Sequence, residues 1–74
     1  MNISIEYCSI WNYLPNASRL EAEIKEEFPA SKIELISSGG GVFEIKIGND
    51  VIFSKKSAGR FPEPGEISSL IRKH

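Results

Sequence analysis

One cysteine, one tryptophan and one histidine are spread over 74 residues, and these scarcities exclude a good deal. A lone cysteine forms no internal disulfide, and a single terminal histidine leaves no Cys/His cluster at metal-ligand spacing. The staples that hold many small domains are therefore missing. One hydrophobic core must suffice for what reads as a single domain over residues 1–74. No apolar run is long enough for a transmembrane helix. Met1 to Glu6 lacks the basic and apolar regions of a signal peptide. An unpaired thiol then points to a reducing, cytoplasmic setting. The formal net charge of −1 argues against general affinity for nucleic acid. A monomer or weak dimer is expected, since nothing in the pattern demands an assembly.

What is present is periodic. Ile3, Ile5 and Tyr7 alternate with Ser4 and Glu6, the period of a strand over Asn2–Tyr7. Tyr13, Ala17, Leu20, Ile24 and Phe28 then recur at spacings of three and four, the stripe of a helix that Pro29 stops. Pro15 favours a helical start near Leu14, because a proline in the first turn forfeits no intrahelical bond; a start at Ser9 would require a kink. Glu21, Glu23, Lys25, Glu26 and Glu27 are assigned to the solvated face of that helix.

Lys32–Ser37 reads as a second strand with Ile33 and Leu35 inward, and the strand–helix–strand order implies a parallel pair. After Gly39-Gly40-Gly41, the run Val42–Ile47 alternates, Gly48-Asn49-Asp50 signals a turn, and Val51–Ser54 returns as an antiparallel hairpin. Lys55 to Arg60 reads as a polar loop, with Phe61-Pro62 as an anchor. A last helix is expected from Pro64, with Ile67, Leu70 and Ile71 on its apolar side. Arg72, Lys73 and His74 then lie where the negative end of the helix dipole favours cations. The order is β-α-β-β-β-α, an α/β fold with a mixed four-stranded sheet and two helices, in a minimal thioredoxin-like arrangement.

Chemistry centres on Cys8, at the junction of the first strand and helix. A lone cysteine serves either as a small buried hydrophobe or as a nucleophile. A place just before a helix favours the second use, since unpaired backbone N–H groups there stabilise a thiolate. Gly39-Gly40-Gly41 precedes a strand, so it makes no phosphate cradle. It reads as a turn needing positive φ, and it would lie beside Cys8, where glycines let a peptide or glutathione backbone approach. Lys55, Lys56 and Arg60 read as a solvated basic cluster, or as an attractor for an acidic partner.

Three blocks give the chain a family resemblance. They are Glu6-Tyr7-Cys8-Ser9-Ile10-Trp11 running into Asn12-Tyr13-Leu14-Pro15, then Gly40-Gly41-Val42-Phe43-Glu44-Ile45, then Phe53-Ser54-Lys55-Lys56 with Gly59-Arg60-Phe61-Pro62-Glu63. In this order and spacing the chain resembles the selenoprotein W-like family, the small Rdx proteins grouped with the selenoprotein T and H domains. The resemblance implies a thioredoxin-like fold and a thiol or selenol redox role linked with glutathione and protein thiols. It also implies a Cys-x-x-Cys or Cys-x-x-selenocysteine motif.

Cys8 matches the first motif position, and Trp11 stands at the second, where an indole can neither resolve a mixed disulfide nor form an internal bond. Trp11 is then native, an engineered replacement, or a reading of a selenocysteine codon, which would put selenium at position 11 of the native protein. The expected site is Cys8 as the reacting thiol and Trp11 at the second motif position, with Ser9, Ile10, Gly40, Gly41 and Val42 contacting substrate. No metal and no tightly bound cofactor are expected; glutathione is a co-substrate. The rival expectation is a non-catalytic interaction module that docks through the apolar patch of Ile10, Trp11 and Tyr13.

Overall fold

The computed structural model describes every residue from Met1 to His74. Its centre is β1 (Asn2–Cys8), whose alternating Ile3 and Ile5 are withdrawn almost completely from solvent. Helix α1 (Leu14–Glu27) carries the chain to β2 (Lys32–Ser38), which pairs parallel with β1 from Asn2↔Lys32 through Cys8↔Ser38. Strands β3 (Phe43–Ile47) and β4 (Asp50–Ser54) form the hairpin, and β3 pairs antiparallel with β1. The sheet order is β2-β1-β3-β4, so the strand that ends in Cys8 is an inner one.

Directly paired residues share a face, and here they are apolar: Ile3 with Ile33 and Ile47, Ile5 with Leu35 and Ile45, Tyr7 with Phe43. Ala17, Leu20 and Ile24 of α1 join Ile67 and Ile71 of the last helix in one cluster with these strands. Both long helices therefore cover the same face of the sheet. The opposite face carries Ser4, Glu6, Glu34, Glu44 and Lys46, partly or fully exposed. A bulge completes the packing. The β3–β4 register passes from Ile45↔Phe53 to Lys46↔Val51, and the skipped Ile52 packs against the core beside Phe53.

Helix α1 begins at Leu14 with Pro15 in its first turn, as the sequence requires. It has no side-chain N-cap. Its other end is held: Phe28 N–H donates to Ile24 O at 2.7 Å and Lys25 Nζ donates to Ser31 O at 2.6 Å. Gly48 takes a positive φ of 59° at the first position of the β3–β4 turn, which frees Asp50 to pair with Ile47.

Two expectations about the C-terminal third are corrected. The Lys55–Arg60 segment opens with a single helical turn, α2 (Lys55–Ala58), which Gly59 closes in the left-handed region by donating its N–H to Lys55 O at 2.7 Å. There are thus three helical segments where two were expected. Helix α3 (Glu66–Lys73) starts two residues after Pro64, because Gly65 adopts φ 80°, which no α-helix accommodates. No helix is long and apolar enough to cross a membrane.

Candidate functional site

The site lies where β1 ends. Cys8 donates its backbone N–H to Val42 O at 2.9 Å, as a strand residue would, and the chain then turns sharply. Ser9 N–H donates to Ser38 O at 3.0 Å, with Ser9 Oγ directed at the same oxygen at 3.4 Å. Asn12 N–H closes on Ser9 O, Tyr13 N–H closes on Cys8 O at 3.0 Å, and Asn12 takes a positive φ of 60°. A tight turn over residues 9–12 therefore separates β1 from α1. The helix N-terminus lies at Leu14, the start that Pro15 favours, so Cys8 is set back from it by the turn. One amide of the turn addresses the sulfur: Trp11 N–H donates to Cys8 Sγ at 3.3 Å.

Strand alternation puts Cys8 on the polar face of the sheet with Ser4 and Glu6, yet its relative exposure is 0%. The residues that follow it are the opposite: Ile10 is 80% exposed, Trp11 59% and Leu14 43%. A buried sulfur thus sits behind an exposed apolar turn.

The glycine segment borders this turn. Gly40 and Gly41 both have positive φ, at 69° and 73°. Gly41 is buried, and the Trp11 indole lies on it so closely that a β-carbon at position 41 would meet Trp11 Cζ3 at 2.5 Å. A β-carbon at Gly39 would touch Ile10 Cδ1 at 3.8 Å, whereas one at Gly40 would meet nothing within 4 Å. Cys8, Ser9, Ile10, Trp11, Gly41 and Val42 are therefore brought together, with Gly40 at the open edge.

Aromatic rings back the turn. Trp11 meets Tyr13 edge-on at 6.1 Å, Tyr13 meets Phe61 at 4.8 Å, and Phe61 meets Phe43 at 5.2 Å. Phe61 is thus the anchor that the sequence suggested. The basic cluster, however, is dispersed. Lys55 Nζ lies 5.2 Å from the Phe61 ring centre and 5.6 Å from that of Tyr13. Arg60 makes a fork of hydrogen bonds to Glu66, at 2.8 and 3.0 Å, and of these three basic residues only Lys56, which is exposed, has no such partner. Glu66 accepts from Arg60 and from Glu63 N–H, which hold its carboxyl down at about 2.

Two glutamates assigned to the solvated face of α1 have partners after all. Glu27 pairs with Arg72, and Glu23 Oε1 accepts Gly65 N–H at 3.2 Å while its Oε2 is buried. Glu23 also lines a cleft of about 230 Å³ with Arg19, Phe43, Phe61 and Pro62. The signal for this cleft was present in the rigid Phe61-Pro62-Glu63-Pro64 segment, but only the fold sets that segment opposite α1.

Comparison with known proteins places this geometry. The profile of the Rdx family matches residues 2–73, so the chain belongs to that family. It is 34% identical over 73 residues to mouse migration and invasion enhancer 1, covering 99% of this chain and 64% of the mouse protein. The bovine protein of the same name is 33% identical, with the same coverage. The chain thus spans a little under two thirds of these relatives. Chicken selenoprotein W is 31% identical over 65 residues, 82% of this chain and 75% of that one. Among solved structures, a Bordetella parapertussis protein superposes with a TM-score of 0.95 at 28% identity, over 99% of this chain and 95% of that chain. A selenoprotein W-related protein from Vibrio cholerae superposes with a TM-score of 0.92, also at 28% identity, over 97% and 92%. The mixed four-stranded sheet with helices is the arrangement of these structures, an α/β thioredoxin-like fold.

Proposed function

We propose that this Rdx-family chain is a small thiol redox protein in which Cys8 forms mixed disulfides with glutathione or with protein thiols. The observation that carries the reading is the 3.3 Å hydrogen bond from Trp11 N–H to Cys8 Sγ. It brings the two positions of the redox motif together and aims a donor at the sulfur.

In the exchange, Cys8 gives up its thiol proton to solvent and the thiolate attacks one sulfur of glutathione disulfide. A Cys8–glutathione disulfide forms, the original S–S bond breaks, and the other glutathione leaves as a thiolate that takes up a proton. With Trp11 in place, release requires a second external thiol, which attacks the mixed disulfide and restores the Cys8 thiol. With sulfur or selenium at position 11, that atom would attack Cys8 Sγ and expel glutathione, closing the cycle internally. The codon at position 11 distinguishes the cases: UGA supports native selenocysteine, and UGG overturns it.

The test is incubation of the folded protein with glutathione disulfide at mildly alkaline pH, followed by intact mass measurement. One glutathione adduct, absent in Cys8→Ser, is expected. No adduct on folded protein, when the unfolded chain reacts, overturns the proposal.

A second reading is supported by the exposure of Ile10 and Trp11 on the turn and of Leu14 at the start of α1, whereas Tyr13, expected in the same patch, is half-buried against the core. Ile10, Trp11 and Leu14 would form an apolar docking patch, with Cys8 incidental. Cys8→Ser separates the two: partner capture survives the substitution in a docking module and is lost in covalent exchange.

A further inference from the structure

We infer that Gly41 is a positioning residue for the side chain at position 11, and that the indole seated on it latches the 9–12 turn over Cys8. The latch is a matter of packing; its consequence for chemistry rests on the reading of Cys8 as the reacting thiol.

Three ring carbons of Trp11 fall within 3.0 Å of where a Gly41 β-carbon would stand, at 2.5, 2.8 and 3.0 Å. No side chain fits there while the indole stays. Backbone conformation already favours glycine at both Gly40 and Gly41, whose positive φ values are nearly the same, but only Gly41 also lies against the ring, and Gly40 has open space around it. The two neighbours thus separate two demands: Gly40 meets one of backbone, and Gly41 meets the same demand plus contact with a ring.

The contact reaches the sulfur through one residue. The indole fixes Trp11, whose own N–H is bound to Cys8 Sγ, and the sulfur behind it has no exposed surface. Trp11 itself is 59% exposed, so the ring can lift away without opening the core. An extended thiol or disulfide substrate approaching over the glycine segment therefore competes with the indole for the surface of Gly41. Displacing the ring frees the turn and uncovers Cys8.

The test compares Gly41→Ala with Gly40→Ala, which carries the same strain at positive φ without the ring contact. Alkylation of Cys8 by iodoacetamide is timed in the folded proteins, and indole emission is recorded. Gly41→Ala is expected to alkylate about tenfold faster than Gly40→Ala, an opening equilibrium shifted by about 1.4 kcal/mol, with emission moved to the red. Equal rates and equal emission in the two variants overturn the latch.

Should Gly41→Ala fail to fold, Trp11→Ala serves: faster alkylation than in the parent supports the latch, and an unchanged rate overturns it. In the Trp11→Ala background, Gly41→Ala should add no more than Gly40→Ala does. Glutathione disulfide distinguishes the latch from the redox reading. Faster alkylation without a glutathione adduct leaves the latch standing and removes the redox reading. An adduct on the parent with no change in alkylation does the reverse.

Discussion

The amide of Trp11 donates to the sulfur of Cys8 at 3.3 Å, and that sulfur has no exposed surface. Positions 8 and 11 are thus coupled through the backbone N–H of residue 11. A reagent reaches the Cys8 sulfur, then, only after an opening of the 9–12 turn.

Cys8 in the folded protein should therefore be alkylated on the order of a hundredfold more slowly than in denaturant, as expected when local opening costs a few kcal/mol. Rates of thiol labelling across a denaturant series check this. Equal rates at both ends would show that the turn offers no protection.

Cys8→Ala removes the acceptor of Trp11 N–H and leaves a small void among buried atoms. The expected cost is about 1–2 kcal/mol, read as a lower denaturation midpoint. Cys8→Ser keeps an acceptor at that position and should cost less, while abolishing any glutathione adduct just as fully.

Acid should weaken the fold through Glu66. Its folded carboxyl is lowered from the ordinary 4.5 to about 2, first by the hydrogen bond from Arg60 and then by Glu63 N–H. A group depressed in this way contributes stability that is fully present above its unfolded pKa and is lost as pH falls toward the folded value. The loss is expected between pH 4.5 and about 2. Glu66→Gln should flatten that part of the stability profile, as thermal melts across the window would show; an unaltered slope would remove the ion pair from the account.

Ile45 has 0% exposure and is paired with both Ile5 and Phe53 under the helices. Ile45→Ala should cost roughly 2–5 kcal/mol, a large share of the stability of so small a chain. Chemical denaturation measures it, and a loss below about 1 kcal/mol would mean that the neighbouring side chains collapse into the space.

Ile10 is 80% exposed, so Ile10→Asp should leave stability within about 0.5 kcal/mol. If the turn is a docking patch, the same change weakens capture of its partner. Unchanged capture would sink the docking reading.

Much of the fold was legible because it follows local periodicity. The alternation of Ile3, Ile5 and Tyr7, and of Phe43, Ile45 and Ile47, defined two strands, and Pro15 and Pro29 bracketed α1. The same reasoning missed α2 and the late start of α3. Both depend on a glycine, Gly59 or Gly65, taking a left-handed conformation that the residue type permits but does not impose. Lys55 read as a solvated charge because nothing nearby in sequence announces that its ammonium will stand over Tyr13 and Phe61.

By itself, then, the sequence determined the order of the four strands and the two longer helices, the core faces and the place of Cys8 at the end of the first strand. Periodicity of two or of three to four is written into neighbouring residues and needs no distant partner. Only the tertiary structure decided that Cys8 is buried, since alternation assigns it to the polar face. It also decided that the lone tryptophan lies across Gly41. Residues 8–12 and 38–42 are far apart along the chain, and they close on one another only because β1 is the inner strand between β2 and β3. That strand order is a property of the whole sheet.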